Sequence, residues 1–137
     1  SRGQNFAQTM LRLGASGKVL KIVDDQLGAP TAAGPLASML MEVAQDPKLL
    51  NPGMWHYGTL GPATWYDFAM AIQEEGRQTG LLDKSIPVLP VSSDQFPTPA
   101  KRPTYSVLDK TSFWQALNLT PVHWRVQLRS MLKELVQ

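Results

Sequence analysis

The chain has 137 residues, 43% hydrophobic and 18% charged, and its 13 Lys+Arg against 11 Asp+Glu leave a net charge of +2. That length suits one domain with a real core, and the composition excludes a disordered chain. Apart from Lys101-Arg102 the cations are scattered singly, so no nucleic-acid-binding face is expected.

Cysteine is absent, which removes disulfides, thiolate metal sites and Cys nucleophiles together and suits a cytoplasmic protein. The longest apolar stretch, Pro35 to Ala44, is interrupted by Ser38 and Glu42 and falls short of the roughly 18 residues a membrane helix needs. No signal peptide is visible. The chain begins at Ser1 and enters a helical pattern within five residues, which predicts a piece of a longer protein.

In chain order, the first predicted helix runs from Asn5 to Leu13. Phe6, Met10 and Leu13 share one face, Asn5 is the N-cap, and Gly14 and Gly17 are its stop. Val19 to Val23 reads as a strand, and Asp24 to Thr31 as a loop. Pro35 suits the first turn of a helix ending near Gln45, and Asp46-Pro47 and Asn51-Pro52-Gly53 are turn signals. Met54 to Thr59 reads as a second strand broken by Gly61-Pro62.

Thr64-Trp65-Tyr66-Asp67 then has the form of a capping box with Asp in place of Glu, opening a helix through Phe68, Ile72 and Glu75 to Thr79-Gly80. Ile86 to Val91 is a strand-like run that Pro87 and Pro90 restrict to an edge or an extended segment, and Gln95 to Pro103 is too proline-rich to be helical throughout. Asp109 caps a short helix to about Leu117. Thr120-Pro121 opens the last helix, with Trp124, Leu128, Leu132 and Leu135 as its apolar stripe. The expected fold is α+β, a single small unit over residues 1–137 with about five helices and two to four short strands.

The catalytic inventory is thin. HExxH and GxSxG do not occur, and His56 and His123 lie far apart and read as packed or surface residues. Gly14-x-x-Gly17 and Gly58-x-x-Gly61 lack the third glycine and the strand–turn–helix setting of a dinucleotide cradle. The Tyr-x-x-x-Lys spacing fails at all three tyrosines, with Gly61, Met70 and Asp109 where the lysine would fall. Asp24-Asp25 reads as a solvated turn before it reads as a metal site.

Two loops are richer. Asp24 to Thr31 gathers carboxylates, an amide, a glycine and a hydroxyl, groups that match sugar hydroxyls but also make ordinary turns. Thr98 to Pro103 holds Lys101 and Arg102 in a proline-stiffened segment. A guanidinium so held suits bidentate phosphate binding, and a solvated charge pair is the other reading.

Several ordered segments carry a resemblance. Asn5-Phe6-Ala7-Gln8-Thr9-Met10-Leu11, Asp25-Gln26-Leu27-Gly28-Ala29-Pro30-Thr31, Thr64-Trp65-Tyr66-Asp67-Phe68-Ala69 and Pro97-Thr98-Pro99-Ala100-Lys101-Arg102-Pro103 resemble the C-terminal, substrate-binding half of the dTDP-4-dehydrorhamnose reductases. Ser106-Val107-Leu108-Asp109 and the late Trp124 and Leu128 fit as well, so the likeness spans nearly the whole chain.

That family belongs to the extended short-chain dehydrogenase/reductases. The resemblance implies NADPH-dependent reduction of dTDP-4-dehydro-L-rhamnose to dTDP-L-rhamnose, the last step in making this sugar nucleotide for bacterial surface polysaccharides. In the family a Rossmann half carries the glycine-rich loop and the Tyr-x-x-x-Lys pair. No catalytic residue is therefore assigned here, NADPH is expected on that other half, and the chain alone is expected to be inactive.

The resemblance places Arg102 at the diphosphate with Lys101 beside it, Asn5 and Phe6 by the nucleoside, and Gln26 and Thr31 near the sugar or diphosphate. Some members hold magnesium at a dimer interface through glutamates. Glu134 sits where one would fall, but Gly34 and Pro35 occupy the region of another, so no metal is carried over. Expected partners are a dTDP-sugar and either the Rossmann half or a second copy covering an apolar face, with no nucleic acid or membrane. The alternative is a non-catalytic module of the same superfamily, like the regulatory subunit of methionine adenosyltransferase.

Overall fold

The computed structural model describes residues 5–96 and 98–136. Ser1, on which the expectation of a longer protein rests, and Pro97 of the proline-rich segment lie outside them. The first helix, α1 (Phe6–Ala15), starts where Asn5 leaves extended backbone and its Oδ1 accepts from the Gln8 amide at 2.9 Å. The predicted stop at Gly14 is corrected, because the helix runs through it. Gly14 is buried against Leu82, and the chain turns only after Ser16, at Gly17.

The strand β1 (Leu20–Val23) and a two-residue strand β2 (Leu27–Gly28) follow. Helix α2 (Ala33–Gln45) carries Pro35 in its first turn, as expected, and a 3-10 turn over Pro47–Leu49 follows. The predicted strand at Met54 to Thr59 is not formed. These residues have no strand neighbour among the described ones, and Trp55 and Tyr57 instead pack edge-on against Phe113. The pairing comes later, where β3 (Ala63–Thr64) lies antiparallel to β2. His56 therefore sits in irregular backbone and not in a strand.

Helix α3 (Trp65–Gln78) opens on the predicted capping box. Thr64 Oγ1 accepts from the Asp67 amide at 2.9 Å, and Asp67 Oδ2 accepts from the Thr64 amide at 3.0 Å. The strand β4 (Val88–Val91) runs parallel to β1, with Leu20 opposite Val88 and Pro90 opposite Ile22. Two strands make a sheet with only edges, which is where a proline without an N–H is tolerated.

The expected Asp109 cap is corrected: Asp109 Oδ1 accepts from the Thr111 amide at 2.9 Å, but the N-cap of α4 (Thr111–Ala116) is Lys110, whose side chain makes no capping bond. The last helix, α5 (Trp124–Glu134), begins three residues beyond Pro121. The delay has a physical cause. Leu60 accepts from the Trp124 amide and donates to the Val122 carbonyl, holding 122–124 extended, so His123 becomes the cap and its Nδ1 accepts from the Arg125 amide. Leu135 falls past the helix end and is 43% exposed, so the buried stripe is Trp124, Leu128 and Leu132.

The core lies between α1, α3 and α5, with Met10, Ile72, Leu128 and Leu132 at its centre and Leu20, Ile22 and Val88 of the parallel pair packed on it. Glu75 is also fully buried, though the apolar periodicity gave no hint that its carboxylate would be paired. Its two oxygens accept from Arg125 Nε at 3.0 Å and from Arg129 Nε and Nη2, both at 2.7 Å, which ties α3 to α5. Among the described residues, the five α-helices and four short strands bear out the α+β expectation. Among the described residues no helix is long and apolar enough to cross a membrane.

Candidate functional site

A cleft of about 1340 Å³ opens between the start of α1, the β2 loop, the first turns of α2 and the outer side of α5. It brings together Asn5, Phe6, Gln26, Thr31 and Arg102, residues separated by up to 97 positions in the chain. Lys101 does not line it. Its side chain is exposed.

Each wall has a local origin. Starting α1 at the Asn5 cap leaves Phe6 on the first helical turn, where its ring packs 4.8 Å from Trp65 and 5.6 Å from Phe68. Phe68 in turn meets Trp124 edge-on at 5.9 Å. The result is an aromatic wall suited to a planar base. The Asn5 oxygen already accepts one bond as the cap, so its amide hydrogens and one lone pair remain to meet a ligand.

The polar wall is the loop after β1, and its two carboxylates are structural. Asp24 Oδ1 accepts from Thr64 Oγ1 at 2.9 Å. Asp25 accepts from the Ser93 hydroxyl at 2.5 Å and from the Ser93 amide at 2.9 Å, and these bonds hold its carboxyl below the usual range. Ser93 Oγ also accepts from Gln26 Nε2 at 2.8 Å, so the Gln26 side chain is fixed at its nitrogen. Thr31 Oγ1 donates to the Ala29 carbonyl at 3.1 Å and keeps its lone pairs. Arg102 is exposed on the rim and pairs with none of the described acids, leaving its five donors for a ligand.

No metal is carried over to this chain from the sequence, and NADPH is expected on another half. Glu134 lines the cleft, yet among the described residues no three His, Cys, Asp or Glu gather to hold a cation. No glycine-rich turn opens a helix there, so the described residues hold no dinucleotide cradle. Trp65 and Gln127 also line the cleft. Gln127 was invisible in the sequence, because its link to the loop, from the Ala32 amide to Oε1 at 3.2 Å, spans 95 positions.

The chain is 37% identical over 137 residues to the dTDP-4-dehydrorhamnose reductase of Escherichia coli K12, covering 98% of this chain and 46% of that one. It is 36% identical over 132 residues to the reductase of Aggregatibacter actinomycetemcomitans, covering 94% and 45%. The solved reductase of Bacillus anthracis, in complex with NADP, superposes with a TM-score of 0.85 at 27% identity over 98% of this chain and 44% of that chain. That of Clostridium acetobutylicum gives 0.83 at 33% identity over 100% and 46%. The chain thus spans about half the length of these relatives. All of residues 1–137 match one family description, and the chain belongs to the RmlD substrate-binding domain family.

Proposed function

We propose that this chain is the sugar-nucleotide-binding part of an NADPH-dependent reductase that converts dTDP-4-dehydro-L-rhamnose to dTDP-L-rhamnose in the cytoplasm. The observation that carries the reading is the convergence of Asn5, Phe6, Gln26, Thr31 and Arg102 on one cleft. The names of the relatives support the substrate class. In this reading Phe6 and Trp65 receive the base, Arg102 neutralises the diphosphate, and Gln26 and Thr31 orient the sugar.

Hydride transfer belongs to NADPH held by residues outside this chain, since its own tyrosines lack the lysine spacing. The surface agrees with a covering partner. None of the thirteen α2 residues is buried, and Leu40 and Met41 are 60% and 59% exposed. The remainder of the reductase, or a second copy, would cover that helix, and neither nucleic acid nor membrane is needed. No observation favours a purely regulatory module.

Calorimetry of dTDP binding at the full length the gene encodes tests the reading. Arg102→Ala should weaken binding about ten- to a hundredfold, the worth of charge-assisted hydrogen bonds of roughly 1.5–3 kcal/mol. Arg102→Lys should recover only part, having charge without the planar fork. Arg77, exposed on α3 and hydrogen-bonded to Ser85, is the control. Equal small effects at Arg102 and Arg77 would remove the site assignment.

A further inference from the structure

We infer that Gln127 is a further ligand-binding residue, donating hydrogen bonds from its side-chain amide to a hydroxyl or carbonyl oxygen of the bound sugar; this rests on the sugar-nucleotide reading above. The argument starts from α2. Its N-cap residue, Ala32, has no side chain able to cap, and Gln127 reaches across from α5 to accept from the Ala32 amide at 3.2 Å. A backbone N–H can only donate, so the atom facing Ala32 is Oε1. That fixes the rotation of the amide group. Nε2 then has no hydrogen-bond partner among the described residues, while the half-buried side chain forms part of the cleft wall.

Gln26, on the same cleft, is fixed in the opposite sense. Ser93 Oγ spends its one hydrogen on Asp25, so it must accept from Gln26 Nε2, and Gln26 Oε1 remains without a partner among the described residues. The cleft therefore carries one amide anchored by its oxygen with its donors free, and another anchored by its nitrogen with its acceptor free. A sugar hydroxyl, which donates once and accepts twice, answers both. Diphosphate oxygens only accept and would leave Gln26 Oε1 unanswered. Because both amides are held before ligand arrives, binding loses little side-chain entropy at either.

The experiment compares dTDP-L-rhamnose with dTDP by calorimetry on the full-length encoded chain. Gln127→Ala removes both the anchor and the donors. Gln127→Glu keeps an acceptor for the Ala32 amide, and so the fold of the loop, while removing the donors. Its added charge repels dTDP, whose terminal phosphate is the more highly ionised, more than dTDP-L-rhamnose, so a lowered ratio of the two affinities cannot come from the charge. Each variant should lower the preference for dTDP-L-rhamnose over dTDP by about five- to tenfold, the worth of an ordinary hydrogen bond. Equal losses for both ligands in Gln127→Ala, with no fall in the ratio in Gln127→Glu, would show that Gln127 only caps α2 and would overturn the inference. If the unaltered protein binds neither ligand, the sugar-nucleotide reading fails and takes this inference with it.

Discussion

Replacing Glu75 by glutamine keeps the shape of a fully buried side chain and removes its charge. In the native chain the carboxylate accepts three guanidinium hydrogen bonds, at 3.0, 2.7 and 2.7 Å. Each charge-assisted bond is worth about 1.5–3 kcal/mol, and desolvating the carboxylate costs several kcal/mol against them. Glutamine would retain one acceptor but turn its NH₂ toward an arginine N–H, donor against donor. The side chains of Arg125 and Arg129 are 36% and 45% exposed, so both can swing into water once released. The loss should therefore fall below the roughly 3–5 kcal/mol of breaking a wholly buried pair, at about 2–3 kcal/mol.

For a chain of 137 residues that is a drop in Tm of about 6–12 °C. Urea unfolding at neutral pH, with thermal melts alongside, measures it. The hydrogen bonds from Arg129, opposed by burial and joined by those from Arg125, hold the Glu75 carboxyl below the ordinary glutamate range. A carboxyl lowered in the folded state contributes its stability above the unfolded value of about 4.3 and loses it as pH falls through the folded one. The gap between native and Glu75→Gln proteins should therefore be full at pH 7 and close as the medium is acidified below about 4.3. A Tm shift smaller than about 2 °C at neutral pH would refute the view that this carboxylate joins α3 to α5.

Two further outcomes follow from backbone geometry. Thr64→Ala removes the α3 cap and the bond to Asp24, and should cost about 1–2 kcal/mol by chemical denaturation; Thr64→Ser should recover most of it. Gly61→Ala should cost more than about 2 kcal/mol, since Gly61 sits at φ +83° and a Cβ there would lie 2.4 Å from His123 Nε2; a variant as stable as the native chain would contradict the tight approach of this corner to α5.

Where a signal is local, the residues alone were sufficient. Asn5 and the Thr64–Asp67 box start α1 and α3 because a side-chain oxygen two or three positions from a free amide closes its bond without help from the rest of the chain. That β4 would be an edge strand or an extended segment followed from Pro90, and the pieces of the cleft from ordered motifs around Asn5, Gln26 and Arg102. Four matters were settled only by tertiary contacts. Met54 to Thr59 has strand-like residues, but a strand needs a neighbour, and its aromatic side chains were taken by Phe113. The last helix waits until Trp124 because Leu60, more than sixty positions away, holds the backbone before it extended. Glu75 became a buried ion-paired residue, and Gln127 a wall of the cleft, through partners 50 to 95 positions distant. Periodicity says which face of a helix turns inward. It cannot say which charge or amide will be waiting there, because that depends on how separate helices pack.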